Sequence, residues 1–275
     1  MRYRWLIENR ISTRDFQELA VDRDKFLQLI SYSGEIEGLI PEIKTQFIFI
    51  ADGKKKTKYL EGKVGYGGHL VTAPHYVGLV SEVKPQHLQN ASYQMEELLL
   101  KATELDLGSC WLSIEDGDKL KKHLDLNIDG ELVALAAIGY PKLHKPYTPK
   151  STSTRMALHE FVYFEKWGTK PITEDIEMRG LANILYHTRM APSWKNQQPW
   201  KLIIDGEEII LVVGGEDVPE KNLLLDSGIM MLYLERIFNE AGFKVKWQLY
   251  DDDLKEDYEK YCIPDNYRII GSLYI

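Results

Sequence analysis

Cysteine is nearly absent from this chain: Cys110 and Cys262 are the only two in 275 residues. A disulfide framework of the secreted kind is thereby excluded, and no Cys-x-x-Cys pair offers a zinc or iron–sulfur ligand set. The seven histidines show no HxxxH or HExxH spacing, so no metal site is expected. Basic residues are in deficit, with 34 Lys and Arg against 42 Asp and Glu, a net charge of −8. A general nucleic-acid or anionic-membrane surface is therefore not expected, although a few arginines can still be gathered into one anion pocket. No apolar run approaches the length of a membrane span. The opening segment Met1–Arg10 has neither a long apolar core nor a small-residue cleavage site, so no signal peptide is expected. The expectation is a soluble, cytoplasmic protein. What is present is apolar mass: 44% of residues are hydrophobic, enough for a substantial core in one large domain or two small ones.

The chain repeats itself. An apolar-periodic segment bracketed by Asp24 and Pro41 is echoed by one bracketed by Asp175 and Pro192, at an offset of 151 (175 against 24). Each proline opens a related string, Pro41-Glu42-Ile43-Lys44-Thr45-Gln46 and Pro192-Ser193-Trp194-Lys195-Asn196-Gln197. Each string enters a β-rich run that ends in Asp-Gly, at Asp52-Gly53 and Asp205-Gly206. Strands are expected at Tyr76–Val80 and Ile209–Val213, and long helices after each, over Leu88–Leu105 and Leu223–Ala241. Each half then closes on a strand, Leu132–Gly139 and Tyr267–Tyr274, at an offset of 135 (267 against 132). The shortfall of about 16 residues falls around Lys54–His69, a Lys- and Gly-rich stretch expected to be a loop.

Four motifs carry the chemistry. They are Arg10-Ile11-Ser12-Thr13-Arg14-Asp15-Phe16; Leu105-Asp106-Leu107-Gly108-Ser109-Cys110-Trp111-Leu112; Ile138-Gly139-Tyr140-Pro141 with Arg155 beyond it; and Pro192 through Trp200. Taken singly, each has a plain structural explanation. An isolated arginine is most often a solvated helix end, and a glycine at 108 suits any helix-to-strand turn. Gln198-Pro199-Trp200 reads equally well as the start of a strand, with Trp200 mostly in the core. Jointly the motifs resemble the FMN-dependent nitroreductases: the N-terminal arginine-serine-arginine signature, the "GLGSCW" segment, the closing strand and tail, and the "PSxxNxQPW" loop. The likeness extends to the group with two fused nitroreductase-like halves.

That resemblance implies an α+β, nitroreductase-like fold, internally duplicated, with mixed, mostly antiparallel sheets flanked by helices. It divides the chain into a first half at 1–140, a crossover at 141–170 and a second, degenerate half at 171–275, the halves interlocked and inseparable. It implies FMN as cofactor, with Arg10 and Ser12 at the phosphate. Guanidinium forks and hydroxyls suit that dianion. Arg14 falls at the pyrimidine edge, where positive charge favours the reduced flavin. Arg155 adds to the phosphate clamp, weakened because Ser153 stands where the family often has a second basic residue. Leu112 and Ser113 fall near the reactive nitrogen. Pro192, Ser193, Asn196 and Gln198 fall on the opposite side of the ring. Gly65-Tyr66-Gly67-Gly68-His69 covers the flavin or is a loop tip.

Members of the resembled family are usually obligate homodimers with the flavin shared between subunits. A fused chain carries both contributions itself, so a monomer is implied, binding a small-molecule acceptor, no nucleic acid and no membrane. Adding 151 to Arg10, Ser12 and Arg14 gives Phe161, Tyr163 and Glu165, which cannot bind phosphate. Pro41–Phe47 lacks the Asn and the Gln-Pro pair of its twin. One FMN per chain is expected. The implied activity is transfer of hydride from NAD(P)H, through FMN, to a nitroaromatic, quinone or similar acceptor. No catalytic dyad is seen, and none is required, since the cofactor carries the chemistry. Dehalogenation, flavin fragmentation, or a flavin-binding sensor or store without turnover remain alternatives on the same scaffold.

Overall fold

The computed structural model describes residues 2–62, 64–65, 69–142, 154–171, 173–250 and 255–275. The chain divides into two compact units. One is continuous, Asn9–Ser151; the other is composite, Met1–Glu8 with Thr152–Ile275. Helix α1 (Tyr3–Asn9) opens the chain and is taken with the composite unit.

The continuous unit contains α2 (Arg23–Ser33), β1 (Thr45–Ile50), α3 (Gly53–Leu60), β2 (Val64–Gly65), β3 (His75–Ser81), α4 (His87–Glu104), β4 (Gly108–Ile114), α5 (Gly117–His123) and β5 (Glu131–Gly139). Its sheet runs β1-β3-β5-β4-β2, antiparallel throughout. The central strands are buried on both faces, which is why Glu131–Gly139 reads as an almost unbroken apolar run. Tyr76 and Val80 of β3 join a cluster with Leu120, Leu124 and Leu135. Val77 and Leu79 join another with Met95, Leu98 and Leu99 of α4. The Lys-rich stretch after Asp52 is helical over Gly53–Leu60, with a short strand after it, and not the expected loop. Asp52-Gly53 makes no hairpin. Gly53 lies so close to the backbone of Ala73 that a Cβ would come within 2.4 Å of its carbonyl oxygen.

Helix α4 buries polar residues as well as its apolar stripe. Several of them bond to a neighbouring segment. Asn90 accepts from Ile40 N (2.9 Å), Gln94 from the Thr45 hydroxyl (2.8 Å) and Glu97 from the Tyr32 hydroxyl (2.7 Å). A buried amide or carboxylate left unbonded costs about 1–3 kcal/mol, so these partners are what makes the polar positions tolerable.

The composite unit adds α6 (Leu158–Phe161), β6 (Val162–Phe164), α7 (Thr173–Met178), α8 (Ala182–Thr188), β7 (Trp200–Asp205), β8 (Glu208–Gly214), α9 (Glu220–Glu240), β9 (Trp247–Leu249), α10 (Lys255–Lys260) and β10 (Tyr267–Tyr274). Its sheet runs β6-β7-β8-β10-β9. Strands β7 and β8 form a two-residue hairpin in which Asp205 faces Glu208, and Gly206 supplies the positive φ of +59° that such a turn needs. Helix α1 is tied into this unit. Arg4 N donates to Glu240 (3.0 Å), and Glu8 lies 3.1 Å from the His187 ring. Leu6 and Ile7 are buried.

The two sheets share an order. β1-β3-β5-β4 in one matches β7-β8-β10-β9 in the other, with a long helix (α4, α9) between the second and third strands in chain order and a short helix (α5, α10) before the last. Each closing strand carries a register shift of one residue, opposite Leu79/Val80 on β5 and between Ile269 and Gly271 on β10. Strand β6, within the segment expected to be a crossover, is the one parallel member, pairing Val162–Phe164 with Leu202–Ile204. No helix among the described residues is long and apolar enough to cross a membrane.

Candidate functional site

In the continuous unit the arginine-serine-arginine signature lies as an extended strip across the ends of β4 and β5. Ser12 bridges Ser109 in parallel, Thr13 N donates to Ser109 O (2.8 Å), and Phe16 bridges Pro141. The strip sits so close that a Cβ on Gly108 would meet the Thr13 hydroxyl oxygen at 2.4 Å. Glycine at 108 is thus required by the approach of the signature and not by the turn, whose left-handed residue is Asp106, at a φ of 58°. Two of the motifs found in sequence are thereby one structure.

Arg10 is buried, and its Nε lies 3.3 Å from Glu96 of α4, whose side chain is wholly buried. The other Glu96 oxygen accepts from the Trp111 indole at 2.6 Å. Arg14 is exposed and Ser12 half-buried. Burial pushes the Cys110 thiol up, while Arg14 and Arg10 both act to lower it. Leu112 is buried in the sheet core, whereas the Ser113 side chain is exposed and its backbone is paired with Gly65. Tyr66, Gly67 and Gly68, assigned to a covering loop, lie outside the described residues, as does Ser153.

In the composite unit the tail arginine and the Pro192–Trp200 loop form one network. Arg155 Nη1 donates to Ala191 O (2.7 Å) and to Asn196 Oδ1 (3.0 Å). Asn196 Nδ2 returns a bond to Thr154 O (2.8 Å). Gln198 donates to Thr154 O (3.2 Å) and accepts from Met156 N (2.9 Å). The Ser193 hydroxyl accepts from Gln198 N (2.9 Å). Trp194 N donates to both oxygens of buried Asp226 on α9, at 3.1 and 3.0 Å. Lys195, Asn196 and Gln198 all have left-handed backbone, at φ of 49°, 59° and 50°. Non-glycine residues held there store strain, and they persist only where the surroundings dictate the fold of the loop. Pro192 is buried beneath it.

The twin loop is unlike this. Pro41–Phe47 has no residue of positive φ and runs straight into β1. The offset of 151 also fails where the signature is concerned. Ser12 bridges β4, but Tyr163 lies in β6 and pairs with β7, so the two are not equivalent in the sheets.

Sequence reading missed Glu96, Thr13 and Asp226. The chemistry of the strip fits a phosphate monoester: two guanidinium groups and a hydroxyl within five residues, with Glu96 offsetting part of the Arg10 charge and Arg14 making the strip net cationic. Among the described residues no cluster of His, Cys, Asp and Glu is placed to hold a metal.

Comparison with known proteins agrees with the fold. A family model described as "Putative TM nitroreductase" matches residues 5–236. The crystal structure of a nitroreductase from Thermotoga maritima MSB8, itself described as putative, superposes over 100% of this chain and 94% of its own, with a TM-score of 0.62 at 17% identity. A nitroreductase family protein from Clostridium novyi NT covers 62% of this chain and 97% of its own, at 23% identity and a TM-score of 0.45. An FMN-dependent nitroreductase from Clostridium difficile R20291 covers 51% and 88%, at 21% identity and a TM-score of 0.45. A search of curated proteins returns no significant match. With a family model spanning most of its length, and the nitroreductase fold in its sheets, this chain belongs to the family described as putative TM nitroreductase.

Proposed function

We propose that this protein is an FMN-dependent oxidoreductase that takes reducing equivalents from NADH or NADPH and passes them to an electron-poor small molecule, such as a nitroaromatic or a quinone. The observation that carries this reading is the strip of Arg10, Ser12 and Arg14 pinned against Gly108–Cys110. When bound, FMN supplies the reversible two-electron chemistry. The chain's own residues bind and orient it. Arg10 and Ser12 take the phosphate, with Arg10 held by Glu96. Arg14, exposed and cationic, is suited to the pyrimidine edge. Leu112 and Ser113 flank the ring through their backbone. Pro192 and Ser193 serve the ring and ribityl chain, and the Ser193 hydroxyl still has a proton to give after accepting from Gln198. Asn196 and Gln198 support this role by shaping their loop, since their amides tie it to residues 154–156.

The shared strand order supports an internal duplication in which one chain supplies what a family dimer supplies with two. The plain, unstrained twin loop supports a single FMN per chain. The purified protein should show an oxidised-flavin spectrum with close to one FMN per chain. It should bleach with NADH or NADPH and recover its colour with an acceptor. Two FMN per chain would refute the single site, and a colourless protein that resists reconstitution would refute the reading. A yellow protein unchanged by both nucleotides would make it a flavin binder without turnover.

A further inference from the structure

The resemblance assigns Arg155 to the phosphate, but its Nη1 is engaged in the Pro192–Trp200 loop. One nitrogen, Nη1, reaches both Ala191 O and Asn196 Oδ1, clamping the two ends of the Pro192–Asn196 segment. Thr154 and Met156, on either side of it, bond to Asn196 and Gln198. Three residues in succession along the chain, 154 to 156, thus grip the part of the loop that holds three left-handed non-glycine residues. Such backbone relaxes unless its surroundings dictate it. One guanidinium nitrogen that meets both acceptors ties the two ends of the segment together.

We infer that Arg155 is a positioning residue, which latches the Pro192–Gln198 loop in its strained form, and not a ligand of the flavin phosphate. This rests on the flavin reading above. Loss of the latch weakens the grip on the ring and ribityl chain, which FMN and riboflavin share. Loss of a phosphate ligand weakens only FMN.

The test measures dissociation constants of FMN and riboflavin for the full-length chain by flavin fluorescence. Arg155→Ala should weaken both ligands by the same factor, about 10-fold, leaving their ratio at the wild-type value. Arg10→Ala, as a control, should collapse the ratio. Arg155→Lys, which keeps the charge but puts it on a differently shaped, more flexible side chain, should weaken both ligands by about 3-fold and serves if the alanine variant does not fold. Backbone amide exchange over residues 193–198 should rise in either variant, with thermal unfolding little changed. A selective loss of FMN affinity, or no loss of either, overturns the inference. A wild-type chain that binds neither flavin refutes the flavin reading by itself. Amide exchange then decides the latch, because unchanged exchange in the variants refutes it.

Discussion

Two buried carboxylates, Glu96 and Asp226, are treated in opposite ways by their surroundings. Glu96 faces a guanidinium and an indole N–H, so its charge is matched. Asp226 faces the Trp194 N–H, and burial pushes its carboxyl well above the ordinary value, with that hydrogen bond opposing. A folded-state pKa above the unfolded one means that the folded protein keeps a proton the unfolded chain releases. The stabilising contribution is whole below the ordinary carboxylate pKa, near pH 4, and is lost as pH rises through the raised folded value. Asp226→Asn keeps an acceptor for Trp194 N and removes the titration. Urea melts between about pH 4 and pH 8 should show the wild-type midpoint falling relative to the variant as pH rises. Parallel curves would mean that Asp226 ionises normally. Neither carboxylate was legible as special in the sequence. Glu96 sits in a run, Tyr93 to Leu100, whose polar members look like the wet face of an amphipathic helix. The partners that keep it buried come from residues 10 and 111, which no local pattern links to it.

At the scale of elements, the Pro192–Gln198 loop shows what spacing can and cannot reveal. Its motif was visible, and so was the strand after it. Its shape was not, because left-handed backbone is usually announced by glycine, and here Lys195, Asn196 and Gln198 adopt it. The same gap explains α3. Lysines and nearby glycines suggested a loop, but the segment from Gly53 to Leu60 has no glycine after its first residue and holds a helix with Leu60 buried. Strands β3, β5, β8 and β10 were legible as short apolar runs, since they are buried on both faces, and helices α4 and α9 by their length and apolar content. Strand β6 was not foreseen, since three residues, Val162–Phe164, are too few to show a period. The loop makes a prediction of its own. Asn196→Gly keeps access to the left-handed region and loses only the amide bonds. Asn196→Val must in addition hold a β-branched side chain at positive φ, and should be less stable than the glycine variant by about 1–2 kcal/mol. Chemical denaturation of the two variants measures the difference, and equal stabilities would show that the loop has another conformation open to it.

At the scale of the molecule, the shared order of the two sheets is the strongest support for duplication, and it was only partly legible. The sequence repeat aligned the strands and long helices. It misled at the signature, where adding a constant offset matched Ser12 to Tyr163, although one bridges β4 and the other pairs with β7. Deletions between repeats shift the offset, so a number valid at one element fails at another. If one chain does the work of a family dimer, it has no need of a second copy. Sedimentation of the purified protein should then return a mass near the chain's own 31.9 kDa. A mass of twice that value at micromolar concentration would remove this argument for self-sufficiency.

Helix α1 belongs with residues 152–275, and that has a consequence for how the chain is made. Arg4 finds its partner Glu240 across a separation of 236 residues. At about 5–20 residues per second, a ribosome needs roughly 12–47 s to deliver the one after the other. The continuous unit can gather its own strands in the meantime. The other partner of α1, His187 on α8, likewise lies far along the chain from Glu8. The contacts of α1 with α8 and α9 are therefore among the last that residues 1–240 can close.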